Sequence, residues 1–328
     1  MKILILSQAE VEKLLPMGEC IDLMAVALLG LARGEAHQPL RMIVRPPGAA
    51  GLMALMPAYQ GGAKPAFGLK AVGVFPKNVE KGKDAHQGSV MLYDGETGEL
   101  KALMNASAVT AIRTAAVSGV ATRLLAREDA GDLAILGAGV QARSHLKAMA
   151  EVRSLRRVRV ASRRPESARA FEEEMAGCHP FPIEAVASGE AALKGADLIV
   201  TATNSAEPVV QRAWVAAGAH LNVVGASLPA HREVDGATMA AARLFVDRRE
   251  STLNEAGDYL FALKEGAIGP NHIRAEIGEL LLGSAAGRTA GEEITLFKSL
   301  GLAVEDLAAA AHVDRRARET GVGAWAEF

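Results

Sequence analysis

The 328-residue sequence has only two cysteines, Cys20 and Cys178. They are too few and too far apart for a disulfide framework, and neither sits in a Cys-x-x-Cys pair. Both are therefore expected to be buried small apolar groups in a protein of the reducing cytoplasm. No apolar run is long enough to cross a bilayer, so no membrane association is expected. Met1-Lys-Ile-Leu-Ile-Leu6 lacks the long apolar core and small-residue cleavage pattern of a signal peptide. An excess of one charge is also missing: 36 Lys and Arg against 38 Asp and Glu leave a formal net charge of −2. Such a balance gives no electrostatic reason for nucleic acid or an acidic membrane as partner. The eight histidines have no close ligand spacing such as His-x-x-x-His, so no metal is expected. There is no internal repeat and no low-complexity segment.

What is present is a half-hydrophobic chain whose length suggests two domains. Its most informative stretch is Leu133-Ala-Ile-Leu-Gly137-Ala-Gly139-Val-Gln-Ala142, where an apolar run breaks into Gly-x-Gly-x-x-Ala and then a helical pattern. Gly137 permits the tight turn, Gly139 leaves room for a pyrophosphate against bare backbone, and Ala142 lets helix and strand pack closely. The helix start would present free N–H groups and the positive end of its dipole to the phosphates. Gly137, Ala138, Gly139, Val140 and Gln141 are thus expected to bind a dinucleotide. A glycine turn alone is weak evidence, but Val158-Arg-Val160-Ala161-Ser162 follows at the distance of the next parallel strand.

The end of that second strand should discriminate between cofactors. An acidic residue there would accept from a ribose 2′-hydroxyl and repel a 2′-phosphate. The chain instead has Ser162-Arg163-Arg164-Pro165, a hydroxyl and two guanidiniums that suit a phosphate dianion. NADP(H) is the expected cofactor, with NAD(H) possible. The alternative is that one or both arginines solvate the start of the helix Pro165–Met175.

The nucleotide fold continues as alternating units. Strands are expected at 181–186, 197–203, 220–225 and 244–247, with helices at 165–175 and 188–194. This alternation predicts a doubly wound parallel sheet, a Rossmann-type α/β fold. Ligands lie beyond the carboxyl ends of such strands, so Thr201, Ala202, Thr203, Ala226 and Ser227 should face the cofactor. Residues before about 128 read differently. Ser7-Gln-Ala-Glu10 starts a capped helix, and 21–33 is a helix ended by Gly34. Short apolar runs at 42–44, 51–56, 67–74, 89–93 and 100–104 then suggest a mixed sheet. A long small-residue helix, 106–125, leads into the nucleotide domain. The C-terminal helix 304–320 has no following strand in this reading and is expected to pack back onto the first domain.

With Gln38-Pro-Leu-Arg41, Met56-Pro-Ala-Tyr59, Gly68-Leu-Lys70, Thr110-Ala-Ile-Arg113-Thr-Ala-Ala116, the glycine turn, Asn222-Val-Val-Gly-Ala-Ser227-Leu-Pro229 and Phe297-Lys-Ser-Leu-Gly301 in order, the chain resembles the ornithine cyclodeaminase and mu-crystallin family over nearly its whole length. The resemblance implies a discontinuous α+β domain built from both termini, 1–122 and 302–328, carrying substrate contacts and a homodimer interface. It also implies a central NAD(P)-binding domain, 123–301. Members shuttle a hydride at the carbon bearing nitrogen next to a carboxylate.

The residues agree with that chemistry. Arg41 and Arg113 are guanidiniums in apolar or small-residue surroundings, where a forked anionic partner is expected. A substrate carboxylate would serve. So would an internal carboxylate or, for Arg113, a cofactor phosphate. Lys70 is a lone cation in an apolar strand, costly unless paired or neutralised. The resemblance makes Lys70 a catalytic-site residue, holding the carboxylate or exchanging the imine proton. Ser227 stands where the family's cyclodeaminases carry an aspartate that engages a diamino acid. A serine supplies neither that charge nor a strong base. The resemblance therefore implies an NAD(P)H-dependent reductase of cyclic ketimines, converting Δ1-pyrroline-2-carboxylate or Δ1-piperideine-2-carboxylate to L-proline or L-pipecolate. Its rivals are ornithine cyclodeaminase, an alanine or N-alkyl-amino-acid dehydrogenase, and a crystallin-like NADPH-binding protein without turnover.

Overall fold

A computed structural model describes residues 2–328, apart from the side chain of Val79. The chain opens with β1 (Lys2–Leu6), α1 (Gln8–Leu14) and α2 (Met17–Ala32). It then runs through β2 (Ala36–His37), β3 (Met42–Val44), β4 (Leu52–Gln60), β5 (Ala66–Val74), β6 (His86–Asp94), β7 (Leu100–Asn105) and α3 (Ala106–Leu125). The central part holds β8 (Asp132–Leu136), α4 (Val140–Val152), β9 (Arg157–Ala161), α5 (Pro165–Met175), β10 (Ile183–Ala185), α6 (Gly189–Leu193), β11 (Leu198–Thr201) and β12 (His220–Val223). It continues with α7 (Gly236–Ala241), β13 (Ala242–Val246), α8 (Arg249–Glu255), α9 (Gly257–Lys264), β14 (Ile273–Glu276), α10 (Ile277–Leu282) and β15 (Ile294–Lys298). The chain closes with α11 (Ala303–Thr320) and β16 (Ala324–Glu327). Two compact units result, one from the chain up to Thr114 together with Gly301–Phe328, the other Ala115–Leu300. The boundaries fall after Thr114, within α3, and after Leu300, rather than after 122 and 301.

The first unit is an eight-stranded mixed sheet in the order β16-β1-β7-β6-β5-β4-β2, with β3 also paired to β4. Strands β4 to β7 form an antiparallel meander, β1 runs parallel to β7, and β16 pairs antiparallel with β1. β16 corrects the expectation that nothing follows the last helix. Its register, Ile3↔Ala326 and Leu4↔Trp325, is set by a strand at the opposite end of the chain, which local pattern cannot announce. α11 packs as expected on its own unit, against β4, β5, β6 and α2. The capping box of α1 is present: Ser7 Oγ accepts from Glu10 N–H while Glu10 accepts from Ser7 N–H. Gly68 lets α11 lie close to β5, because a Cβ there would meet Leu307 Cδ1 at 3.0 Å. That approach brings the first turn of α11 over Lys70.

The second unit is an all-parallel eight-stranded sheet in the order β10-β9-β8-β11-β12-β15-β13-β14. Strand order reverses between β8 and β11, the switch point where doubly wound sheets open a crevice for ligands. β14, β15 and helices α7 to α10 lie where sequence patterning showed little. β15 is buried throughout, so Ile294-Thr-Leu-Phe-Lys298 lacks alternation. Cys20 is buried as expected, but Cys178 is exposed. It lies just past the end of α5 in a segment bounded by Gly177, and neither feature takes it into the core.

Candidate active site

The first unit gathers Arg41, Lys70 and Arg113 around the segment that opens α11. Lys70 lies on the helix-covered face of β5, opposite Met56 on β4 and Val90 on β6, and is 3% exposed. Its ammonium is 2.8 Å from Asp306 Oδ2 and donates weakly to Thr110 Oγ1 at 3.5 Å. Arg113, on α3 and 3% exposed, donates from Nε to Asp306 Oδ1 at 2.9 Å and from Nη1 to Glu305 at 2.7 Å. Glu305 also accepts from Leu302 N–H, and Gln38 accepts from Val304 N–H, which ties the start of α11 to the loop before Arg41. Half-buried Arg41 donates to the Gly301 carbonyl at 3.2 Å. Gly301 has φ +80°, and a Cβ there would strike the Arg113 guanidinium.

Lys70 and Arg113 thus share the Asp306 carboxylate, with Arg113 also on Glu305 and Arg41 close by at Gly301. Burial lowers the Lys70 pKa to about 8, with the Arg113 and Arg41 charges adding to the fall and Asp306 opposing it. Burial pushes Asp306 up, but the Arg113 and Lys70 charges outweigh it and the net shift is downward. Glu305 and Asp306 were invisible to sequence reading, because acids in a first helical turn also serve simply as partners of the helix dipole. For Arg113 the internal carboxylate, kept open as an alternative in the sequence, is present, and buried Lys70 pairs with Asp306 too.

The second unit places the glycine turn after β8. Gly137 has φ +110°, and a Cβ on it would run into the Ala202 carbonyl. Gly139 faces open space and is the N-cap of α4 with no side-chain cap, so the helix's first N–H groups are left for a ligand. Ala138 and Gln141 are half-buried, Val140 is exposed and Ala142 is fully buried against the sheet. Arg143 Nη1 donates to the Ala138 carbonyl at 2.6 Å, and its guanidinium pairs with Glu174. After β9, Ser162 is half-buried while Arg163 and Arg164 are exposed, and their side chains enter no hydrogen bond or ion pair among the described residues. Arg164 is also the N-cap residue of α5, and its side chain makes no cap hydrogen bond.

Thr201 and Thr203, at the end of β11, both donate to Glu233, a residue that carried no signal in the sequence. Burial raises the Glu233 pKa, and the Lys298 charge opposes that rise. Ala226 is buried, and Ser227 is half-buried with its hydroxyl unpaired among the described residues. The open cradle at Gly139 and the uncapped α4 fit the pyrophosphate of a dinucleotide. No group of three or more His, Cys, Asp or Glu among the described residues is arranged to hold a metal.

Comparison with known proteins identifies the family. The model of the ornithine cyclodeaminase/mu-crystallin family matches residues 1–321. A Δ1-pyrroline-2-carboxylate reductase of Bacillus cereus is 38% identical over 326 residues, 99% of this chain and 100% of that protein. The mouse ketimine reductase mu-crystallin is 41% identical over 277 residues, 84% of each chain. Among solved structures, Thermococcus litoralis Δ1-pyrroline-2-carboxylate reductase in complex with NADH and L-proline superposes with a TM-score of 0.95 at 41% identity, covering 98% of this chain and 99% of that one. An archaeal alanine dehydrogenase dimer with bound NAD gives 0.94 at 33% identity, with full coverage of both. The chain belongs to the ornithine cyclodeaminase/mu-crystallin family.

Proposed function

We propose that the protein is an NAD(P)H-dependent reductase of cyclic ketimines, taking Δ1-pyrroline-2-carboxylate or Δ1-piperideine-2-carboxylate to L-proline or L-pipecolate. The observation that carries this reading is the convergence of Arg41, Lys70 and Arg113 at the start of α11, beside Glu305 and Asp306, which concentrates cationic donors where a substrate carboxylate can be held. Arg113 and Asp306 hold their places through each other, and Arg41 and Lys70 beside them meet the substrate. Lys70, with a pKa near 8, keeps a proton available to the imine nitrogen at neutral pH and can release it in the reaction. A protonated imine carbon is the better hydride acceptor, so holding that proton lowers the barrier directly. The bound dihydronicotinamide supplies the hydride.

The unpaired arginines after β9 support NADPH over NADH. They are exposed, have no internal carboxylate, and stand where a 2′-phosphate would lie. Ser227 argues against cyclodeamination, since its uncharged hydroxyl offers no partner to a second substrate ammonium. A homodimer through the sheet of the first unit is supported by apolar side chains left open there: Met42 is 61% exposed, Met53 49% and Phe67 48%. No single described helix is long and apolar enough to cross a membrane, and we place the protein in the cytoplasm.

The test is NADPH and NADH consumption against a panel of cyclic imino acids, 2-oxo acids with amines, and L-ornithine. Turnover is expected with the five- or six-membered cyclic imino acids. Rapid release of ammonia from ornithine without added reductant would sink the reading in favour of the cyclodeaminase.

A further inference from the structure

The buried carboxylate of Glu233 lies at a junction that the proposed chemistry does not use. It is 0% exposed and receives four donors. Oε1 accepts from Thr203 N–H and Thr203 Oγ1, each at 2.7 Å, and Oε2 accepts from Thr201 Oγ1 at 2.8 Å and Gly225 N–H at 2.6 Å. These donors belong to two separate segments, one leaving the carboxyl end of β11 and the other that of β12. The contact is tight: a Cβ on Gly225 would run into the Thr203 backbone and meet Glu233 Oε1 at 2.6 Å. Glu233 is itself anchored from behind. Its N–H and that of Val234 donate to Asp258 Oδ1 at 2.6 and 3.0 Å, and Asp258 pairs with Lys298 Nζ at 2.9 Å, all three side chains being buried.

The sheet order says what those segments serve. In a doubly wound sheet a dinucleotide runs across the carboxyl ends of the strands, with its pyrophosphate at the glycine turn. Here the glycine turn follows β8, and the ribose-reading residues follow β9 on one side. β11 and β12 lie on the other side, so the segments after them fall at the nicotinamide end. We infer that Glu233 is a positioning residue: by gathering the Thr201–Thr203 and Gly225–Ser227 segments onto one carboxylate, it presets the backbone that receives the nicotinamide half of the cofactor. This rests on the nucleotide site proposed above.

Backbone N–H groups on both oxygens make the requirement specific to a group with two acceptors. In Glu233→Gln the amide oxygen can keep Thr203, and the Thr201 hydroxyl can turn to accept from the amide NH2. Gly225 N–H then meets a donor, with nothing left to accept it. The segment before Ser227 is displaced while the glycine turn is untouched. The experiment compares the binding of NADH with that of ADP-ribose, which lacks the nicotinamide, by titration calorimetry on the purified natural protein and on Glu233→Gln. The expected result is an ADP-ribose Kd within about twofold of the natural protein's and an NADH Kd weakened about tenfold or more. Thr201→Val, which removes one of the four donors and keeps the side-chain shape, serves where Glu233→Gln does not fold, and should show the same split at smaller size. Equal losses for both ligands, or no loss for NADH, would overturn the inference. A natural protein that binds neither ligand would overturn the nucleotide site and this role with it.

Discussion

The Lys70 ammonium and the Asp306 carboxylate lie 2.8 Å apart, both almost fully buried, at the meeting of β5 with the first turn of α11. Either charge alone in that place would be expensive to bury, and the pair gains further from Arg113, which binds the other oxygen of the same carboxylate. Asp306 therefore opposes the loss of the Lys70 proton that burial and Arg113 favour.

Activity should fall as pH rises through about 8, the value to which burial, Arg113 and Arg41 bring Lys70. Asp306 is the charge that holds this value up, so Asp306→Asn should move the alkaline limb of kcat to lower pH, by about one unit or more. His86, whose own pKa is lowered by burial and by the Lys70 charge, is the neighbouring titrating group to control for with His86→Gln. Lys70→Met should cost roughly 10²- to 10⁴-fold in kcat, the usual contribution of a positioned proton donor. Steady-state pH profiles check this. A rise in KM alone would make Lys70 a carboxylate clamp.

Arg41→Ala should chiefly raise KM for the imino acid, because Arg41 is half-buried, its charge acts on Lys70, and its planar fork suits a carboxylate. Arg113→Ala should instead lower stability as well as activity, since Glu305 and Asp306 would each lose a buried counter-charge, Asp306 keeping only Lys70. Breaking such a cluster typically costs about 3–5 kcal/mol. Chemical denaturation beside kinetics separates the two outcomes.

Arg163→Ala should weaken NADPH by roughly 1–3 kcal/mol, one lost charge-assisted contact, and leave NADH nearly unchanged. Fluorescence titration of both cofactors measures the difference. Unchanged NADPH affinity would assign the arginine to solvation of α5.

Two buried histidines should make the fold acid-sensitive. His145 bonds to Ser118 Oγ at 2.9 Å and to the Gln141 carbonyl at 2.7 Å, and burial lowers its pKa to about 4; burial and the Arg288 charge bring His220 to about 3. Both lie below the ordinary value of 6.5, so the unfolded chain binds more protons in between. Stability from these groups is full above pH 6.5 and is lost as pH falls toward 4 and then 3, by up to about 3 kcal/mol for His145. Urea midpoints measured from pH 7 to 4.5 should fall, and the slope should flatten in His145→Gln.

Gly137→Ala should abolish cofactor binding and destabilise the second unit. Its φ of +110° and the adjacent Ala202 carbonyl leave no place for a methyl group. Thermal unfolding with and without NADH checks both effects.

The sequence by itself determined what short-range physics governs. Gly137, Gly139 and Ala142 announce their turn because backbone conformation and close approach are set by side-chain size within a few residues. The alternation of apolar runs with helical spacing from β8 to β13 predicts a parallel sheet because buried strands and amphipathic helices have different periods. Lys70 and Arg113 stood out because a cation in an apolar stretch needs a partner. Which partner was a matter for the tertiary structure. Glu305 and Asp306 reach them only because Gly68 lets α11 settle on β5, and Glu233 meets Thr201, Thr203 and Gly225 only where β11 and β12 end side by side. The pairing of β16 with β1 and the exposure of Cys178 are of the same kind. Charge pairing and strand pairing depend on distance in space, and periodicity along the chain carries no record of it.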